Sequence, residues 1–158
     1  MSKLWIKNVN LSLITDTSEG IYRLSGNAST ILRIKTEANK GTAIFISGNY
    51  SELLDPDTDI NAVSGILKLF FRELLDSLIP FSFFDRFIAA IGFVHLNLAL
   101  EDYNVRLIEI KILVQALPKE NYTVLEFLFR HLSHISSGSD INKMESSNLA
   151  IVFAYFSL

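Results

Sequence analysis

The chain has 158 residues and a formal net charge of -3, with 49% hydrophobic and 20% charged residues. That length and balance suit one packed domain and exclude a disordered, charge-rich chain. The weak negative charge supplies no basic field for nucleic acid or an anionic membrane, and the lack of cysteine excludes disulfides, thiolate zinc sites and a Cys nucleophile.

Lys7, Asn8 and Asn10 interrupt the N-terminal segment, so it lacks the apolar run of a signal peptide. Residues 4–14 show no clear period and fit a short helix or a strand equally. Gly20 and Gly26 then bracket IYRLS, a tight loop with Arg23 at its centre. Residues 27–40 form a predicted helix, with Ala28, Ile31, Leu32 and the stem of Lys35 at helical spacing and Gly41 placed to end it. Residues 42–56 are expected to be an irregular connection. Asp59 is the predicted cap of a strong helix over 60–75, whose inward stripe is Val63, Ile66, Leu67, Phe70, Phe71 and Leu74. Ser82 and Asp85 resemble a capping box for a helix over 83–91. A helix over 102–117 is expected to turn Val105, Ile108, Ile112, Leu113 and Ala116 to one side. Another, over 118–136, turns in Val124, Leu125, Leu128, Leu132 and Ile135, and Gly138 breaks it. Ser146 or Ser147 caps the last helix. Six or seven helical patterns with short links predict an all-α fold.

The longest uncharged stretches fall short of the roughly 20 residues that span a bilayer. Together with the missing cysteines, this leads us to expect a soluble, cytoplasmic protein. No phosphate-cradling loop of the G-x-x-x-x-G-K-[ST] or G-x-G-x-x-G kind occurs, and no G-x-S-x-G elbow. His131 and His134, three apart, have a spacing that can ligate metal. A helix surface or core position near a C-terminus explains them more simply, and no metal is expected. Lys68 and Arg72 stack four apart, a like-charge arrangement that costs an isolated helix about 0.2–0.5 kcal/mol. Arg23 has only uncharged immediate neighbours; a surface Arg covering them with its stem is the plain reading of that residue alone.

Taken together, three blocks resemble the signatures of Rho-family GTPase-activating (RhoGAP) domains. They are EGIYRLSG from Glu19, ILKLFFREL from Ile66 and NKMESSNLAIVF from Asn142. LPKENYTVLEFLFRHL, from Leu117, is also similar to the family. The resemblance runs from about residue 18 to residue 153 and implies a helical bundle, with an N-terminal segment over 1–17 and the domain over 18–158. It further implies a protein that is not itself an enzyme but completes the active site of a GTP-bound Rho-family small GTPase. By this resemblance Arg23 is the arginine finger, Lys68 engages the GTPase, Arg72 braces the finger loop, and Asn148 contacts the GTPase. No cofactor is implied for this chain, since GTP and Mg²⁺ belong to the partner.

The chemistry suits those residue types. Phosphoryl transfer spreads negative charge over the γ-phosphoryl oxygens, and an inserted guanidinium meets it with a planar donor fork of permanent charge. The sequence departs from the family pattern in two places. The two prolines usual after the second block are missing, the chain reading Leu75, Asp76, Ser77. The third block continues with a small residue, Ala154, and then with Tyr155 and Phe156 in place of Pro and Asn. Against the family the chain is short at both ends, and its apolar end is expected to lack covering helices. Retention of Arg23, Lys68, Arg72 and Asn148 favours an activator. The proline lost at Tyr155 and the short C-terminal end favour the alternative, a non-catalytic GTPase-binding or scaffold module of the same fold.

Overall fold

The structure is a computed structural model that describes residues 17–39, 58–92 and 103–157. The expectations for residues 4–14 and 42–56, and for Gly41, lie outside these. Seven helices are described: α1 Ala28–Asn39, α2 Ile60–Arg72, α3 Phe81–Gly92, α4 Tyr103–Gln115, α5 Lys119–Ser137, α6 Ser139–Asn142 and α7 Ser146–Ser157. No strand occurs among the described residues. The fold is all-α, as the periodicity predicts.

α2 is the central element. Asp59 caps it by accepting the Asn61 N–H at 2.9 Å, which satisfies one of the donors a helix start leaves open. Its face from Ala62 to Phe71 is almost wholly buried, with Phe70 at 0% exposure. α1 packs on one side of it and α7 on another, while α5 packs on α7. Val124, Leu125, Leu128 and Ile135 of α5 face the same core, as do Leu149 and Phe153 of α7. Asn121 carries its amide to the Leu78 carbonyl at 2.7 Å, which ties the start of α5 to the segment after α2.

The boundaries depart from the sequence reading at several points. α2 stops at Arg72 rather than at Leu75. Glu73 takes the C-cap, Leu75 is left exposed, and the chain turns so that Leu78 enters the core. α3 begins at Phe81, so Ser82 is not its cap. The Pro80 carbonyl accepts the Phe83 N–H at 2.8 Å, and a proline costs nothing at a helix entry because its missing N–H would be unpaired there anyway. Likewise Pro118 is the cap of α5 and not its first residue. Ser146 lies inside α7, where Glu145 supplies the first carbonyl.

The largest correction concerns α4. Val105, Ile108, Ile112 and Ala116 are exposed, and of the expected stripe only Leu113 is buried. The inward side carries Ile110, Leu113, Val114 and Leu117 instead. Apolar residues occur all round this helix, so two helical stripes are available and periodicity alone does not choose between them. Packing against α3 does choose.

Candidate functional site

The loop between Thr17 and Asn27 is a series of turns that enters α1 through an Asn27 cap. The Asn27 carboxamide oxygen accepts the Ser29 and Thr30 N–H groups at 2.9 and 3.2 Å. Three backbone features shape the loop. Gly20 has φ +71°, a conformation open to glycine without cost. Tyr22 has φ +69°, which for a bulky residue costs on the order of 1–3 kcal/mol and persists only where surroundings enforce it. Gly26 is needed for space, since a Cβ there would lie 2.1 Å from the Ala62 nitrogen at the start of α2.

Several bonds hold the loop. The Gly20 N–H donates to the Asn142 carbonyl at 2.8 Å. Asn142 is itself completely buried: its amide reaches the Ile135 carbonyl at 2.8 Å, and its side-chain oxygen accepts the Met144 N–H at 2.8 Å. The Lys68 ammonium donates to the Tyr22 carbonyl at 2.6 Å. Partial burial, with the positive charge of Arg72 adding to it, pushes the Lys68 pKa down. The Tyr22 side chain, also 0% exposed, points into the core. Its hydroxyl meets His131 Nε2 at 2.5 Å and its ring stands edge-on to Phe153, 5.1 Å between centroids.

Arg23 follows Tyr22 directly and is exposed. Its guanidinium has no hydrogen-bond or ion-pair partner among the described residues. A Cβ placed on Gly20 would come within 3.6 Å of Nη2, so the side chain lies over that glycine. The loop therefore turns one side chain fully inward and the next one out.

The other expected site residues surround this loop. Lys68 touches it, as described. Arg72, one turn further along α2, is exposed and donates no hydrogen bond among the described residues. It lines a groove of about 450 Å³ with Ser25, Gly26, Lys35, Lys68 and Glu73. The bond that reaches a loop carbonyl thus comes from the lysine, not the arginine. Lys35 pairs with Glu73 at 2.6 Å. Asn148, in the first turn of α7, donates to the Lys143 carbonyl at 3.2 Å. That carbonyl and the Asn142 carbonyl that receives Gly20 are consecutive, so the turn between α6 and α7 serves both loop and helix. Lys143 sits in this turn with φ +60°.

Sequence reasoning missed Tyr22, Asn142 and His131. Asn142 opens the third block, yet nothing in the sequence marks it as buried. His131 is an inward residue of α5, and no group of His, Asp or Glu suited to a metal occurs among the described residues. Burial, reinforced by the nearby His134, holds its pKa down at about 4. Burial also pushes the Tyr22 phenol well above its usual range. At neutral pH both groups are therefore uncharged, and the imidazole tautomer decides which of them donates in their bond.

This has a consequence for stability. An unfolded histidine titrates near about 6.5. Between that value and about 4 the unfolded chain takes up a proton that the folded chain refuses, so unfolding is favoured as pH falls. The expected loss from this group is about 3 kcal/mol across the window, with none above it. Denaturation midpoints measured from pH 7 to pH 4 should therefore fall more steeply for the wild type than for His131→Gln.

No helix among the described residues is long and apolar enough to cross a membrane. Comparison with known proteins matches residues 10–156 to the family described as RhoGAP domain. Rho GTPase-activating protein 15 of Gallus gallus is 36% identical over 135 residues, 85% of this chain and 26% of that protein. Rho GTPase-activating protein gacN of Dictyostelium discoideum is 39% identical over 136 residues, 86% of this chain and 20% of that protein. The chain thus spans about a quarter or less of the length of these curated relatives. The crystal structure of human Rho GTPase activating protein 15 superposes with a TM-score of 0.80 at 34% identity, covering 98% of this chain and 68% of that one. The BH domain from GRAF, the GTPase regulator associated with focal adhesion kinase, gives 0.73 at 26% identity, covering 98% and 77%. With the ordered blocks, the all-helical architecture and the matched span in agreement, the chain belongs to the RhoGAP domain family.

Proposed function

We propose that this chain accelerates GTP hydrolysis by a Rho-family small GTPase in its GTP-bound form, supplying Arg23 in trans. The observation that carries the reading is an exposed guanidinium, free of partners among the described residues, on a loop clamped by Asn142, Lys68 and the buried Tyr22. A finger needs both properties. Its charge must be available to the partner, and its base must not move when charge develops on the departing phosphate. Lys68 and Arg72 add positive potential beside the loop and so favour an anionic partner surface. Asn148, which donates to the Lys143 carbonyl in the α6–α7 turn, is the further residue that would contact the GTPase. Nucleotide and Mg²⁺ come with the GTPase, and the chain completes that protein's active site without a cofactor of its own. The proposed setting is the cytoplasm.

Single-turnover GTP hydrolysis by a panel of Rho-family GTPases tests this. Adding the chain should raise the rate for at least one of them. Binding of the GTP-loaded form with no acceleration would leave a binding module only, and no binding at all would leave a helical scaffold.

Lys68→Met gives a separate expectation. It keeps the apolar stem and removes the ammonium, so the buried Tyr22 carbonyl loses its donor. An unpaired buried acceptor costs about 1–3 kcal/mol. Stability should fall by that amount in urea titrations, and the stimulated rate of GTP hydrolysis should drop by about tenfold or more as the loop loosens. A wild-type rate at unchanged stability would show that the bond does not hold the loop.

A further inference from the structure

Tyr22 and His131 stand 109 residues apart in the chain, and their bond is the point where α5 reaches the finger loop. Packing alone would fill the position of His131 with a leucine, because its nearest buried neighbours along that face, Leu128 and Ile135, are apolar. A polar ring buried there needs a partner, and the Tyr22 hydroxyl is that partner. Tyr22 in turn holds a left-handed backbone that a bulky side chain does not choose, immediately before the exposed Arg23. Its carbonyl is fixed by Lys68 and one edge of its ring by Phe153. The hydroxyl bond fixes the remaining freedom, the tilt of the ring in its pocket.

We propose that His131 is a positioning residue for Arg23, acting through the Tyr22 hydroxyl to hold the finger loop in the conformation that projects the guanidinium. The proposal rests on the activator reading above. His131 touches neither nucleotide nor GTPase in this scheme. The imidazole serves as a fixed hydrogen-bond partner, and the phenol transmits its position to the backbone of the finger.

The test uses the whole chain with a GTPase it activates, reading kcat and KM for the GTP-loaded GTPase. Tyr22→Phe keeps the ring and removes the bond; His131→Leu keeps the packing and removes the polar partner. Each should lower kcat at least tenfold and leave KM within about twofold, since the GTPase-facing surface is intact. His131→Gln restores a side chain that can both donate and accept, and should recover more of kcat than His131→Leu. In an Arg23→Ala background neither substitution should lower the residual rate further, because a misplaced loop then has no finger to misplace. Tyr22→Phe at wild-type kcat, or an equal loss with and without Arg23, overturns the proposal. If the wild-type chain accelerates no GTPase, the activator reading fails and this proposal with it. If the wild type accelerates and Arg23→Ala abolishes the effect while Tyr22→Phe does nothing, this proposal fails alone.

Discussion

Arg23→Ala is expected to lower the rate of GTP hydrolysis that the chain stimulates in its GTPase by about 10³–10⁵, or about 4–7 kcal/mol of transition-state stabilisation. The folded chain should be nearly unaffected. Arg23 is exposed, and among the described residues its guanidinium makes no hydrogen bond or ion pair, so truncation breaks none. Surface substitutions of that kind stay within about 0.5 kcal/mol. Binding of the GTP-loaded GTPase should persist, because the guanidinium is most needed when charge accumulates in the transition state. Arg23→Lys should recover only a small part of the rate, since an ammonium is a compact, strongly hydrated point charge without the planar donor fork. Single-turnover kinetics with both variants, beside thermal melts, separate these outcomes. An unchanged rate for Arg23→Ala would remove the finger from the mechanism, whatever the family of the chain.

The features legible in the sequence were those encoded locally. The stripe of α2 was readable because its apolar residues recur at one helical spacing and a capping Asp59 stands before them. The Gly-bracketed loop and the stacked cations Lys68 and Arg72 were readable as anomalies against that background. α4 was misread on its inward face because its apolar residues occupy more than one stripe, and only the position of α3 breaks the tie. The clamp was invisible for a related reason. Gly20 to Asn142, Tyr22 to His131 and Tyr22 to Lys68 each join residues 46 or more positions apart. No periodicity reports such pairs. His131 carries the one available signal, a polar ring between apolar neighbours at helical spacing. The two glycines also turned out to differ: one serves a backbone angle, the other a close approach.

That difference makes Gly26→Ala the severest test of how the loop is seated. A Cβ at position 26 would lie 2.1 Å from the Ala62 nitrogen, 2.3 Å from its Cα and 2.4 Å from the Asn61 carbonyl carbon. These are backbone atoms in the first turn of α2, so no rotamer change can relieve the overlap. The turn itself cannot give way easily, because Asp59 anchors it through the Asn61 N–H and through its own carbonyl to Ala62. The loop must instead withdraw by more than about 1 Å to reach ordinary contact distance. The expected cost is about 3 kcal/mol, at the upper end for overpacking, and a fall in melting temperature of roughly 6–12 °C. The stimulated rate should drop as well, since the retreating segment carries Arg23 and pulls on the Tyr22 carbonyl held by Lys68. Gly20→Ala supplies the comparison. Its φ of +71° penalises a side chain by about 1–2 kcal/mol, but the nearest atom is Leu24 Cγ at 2.9 Å, on an exposed side chain that can swing away. Gly26→Ala should therefore be the more destabilising of the two. The reverse order would mean that the loop is shaped by its turns alone and does not rest on the start of α2.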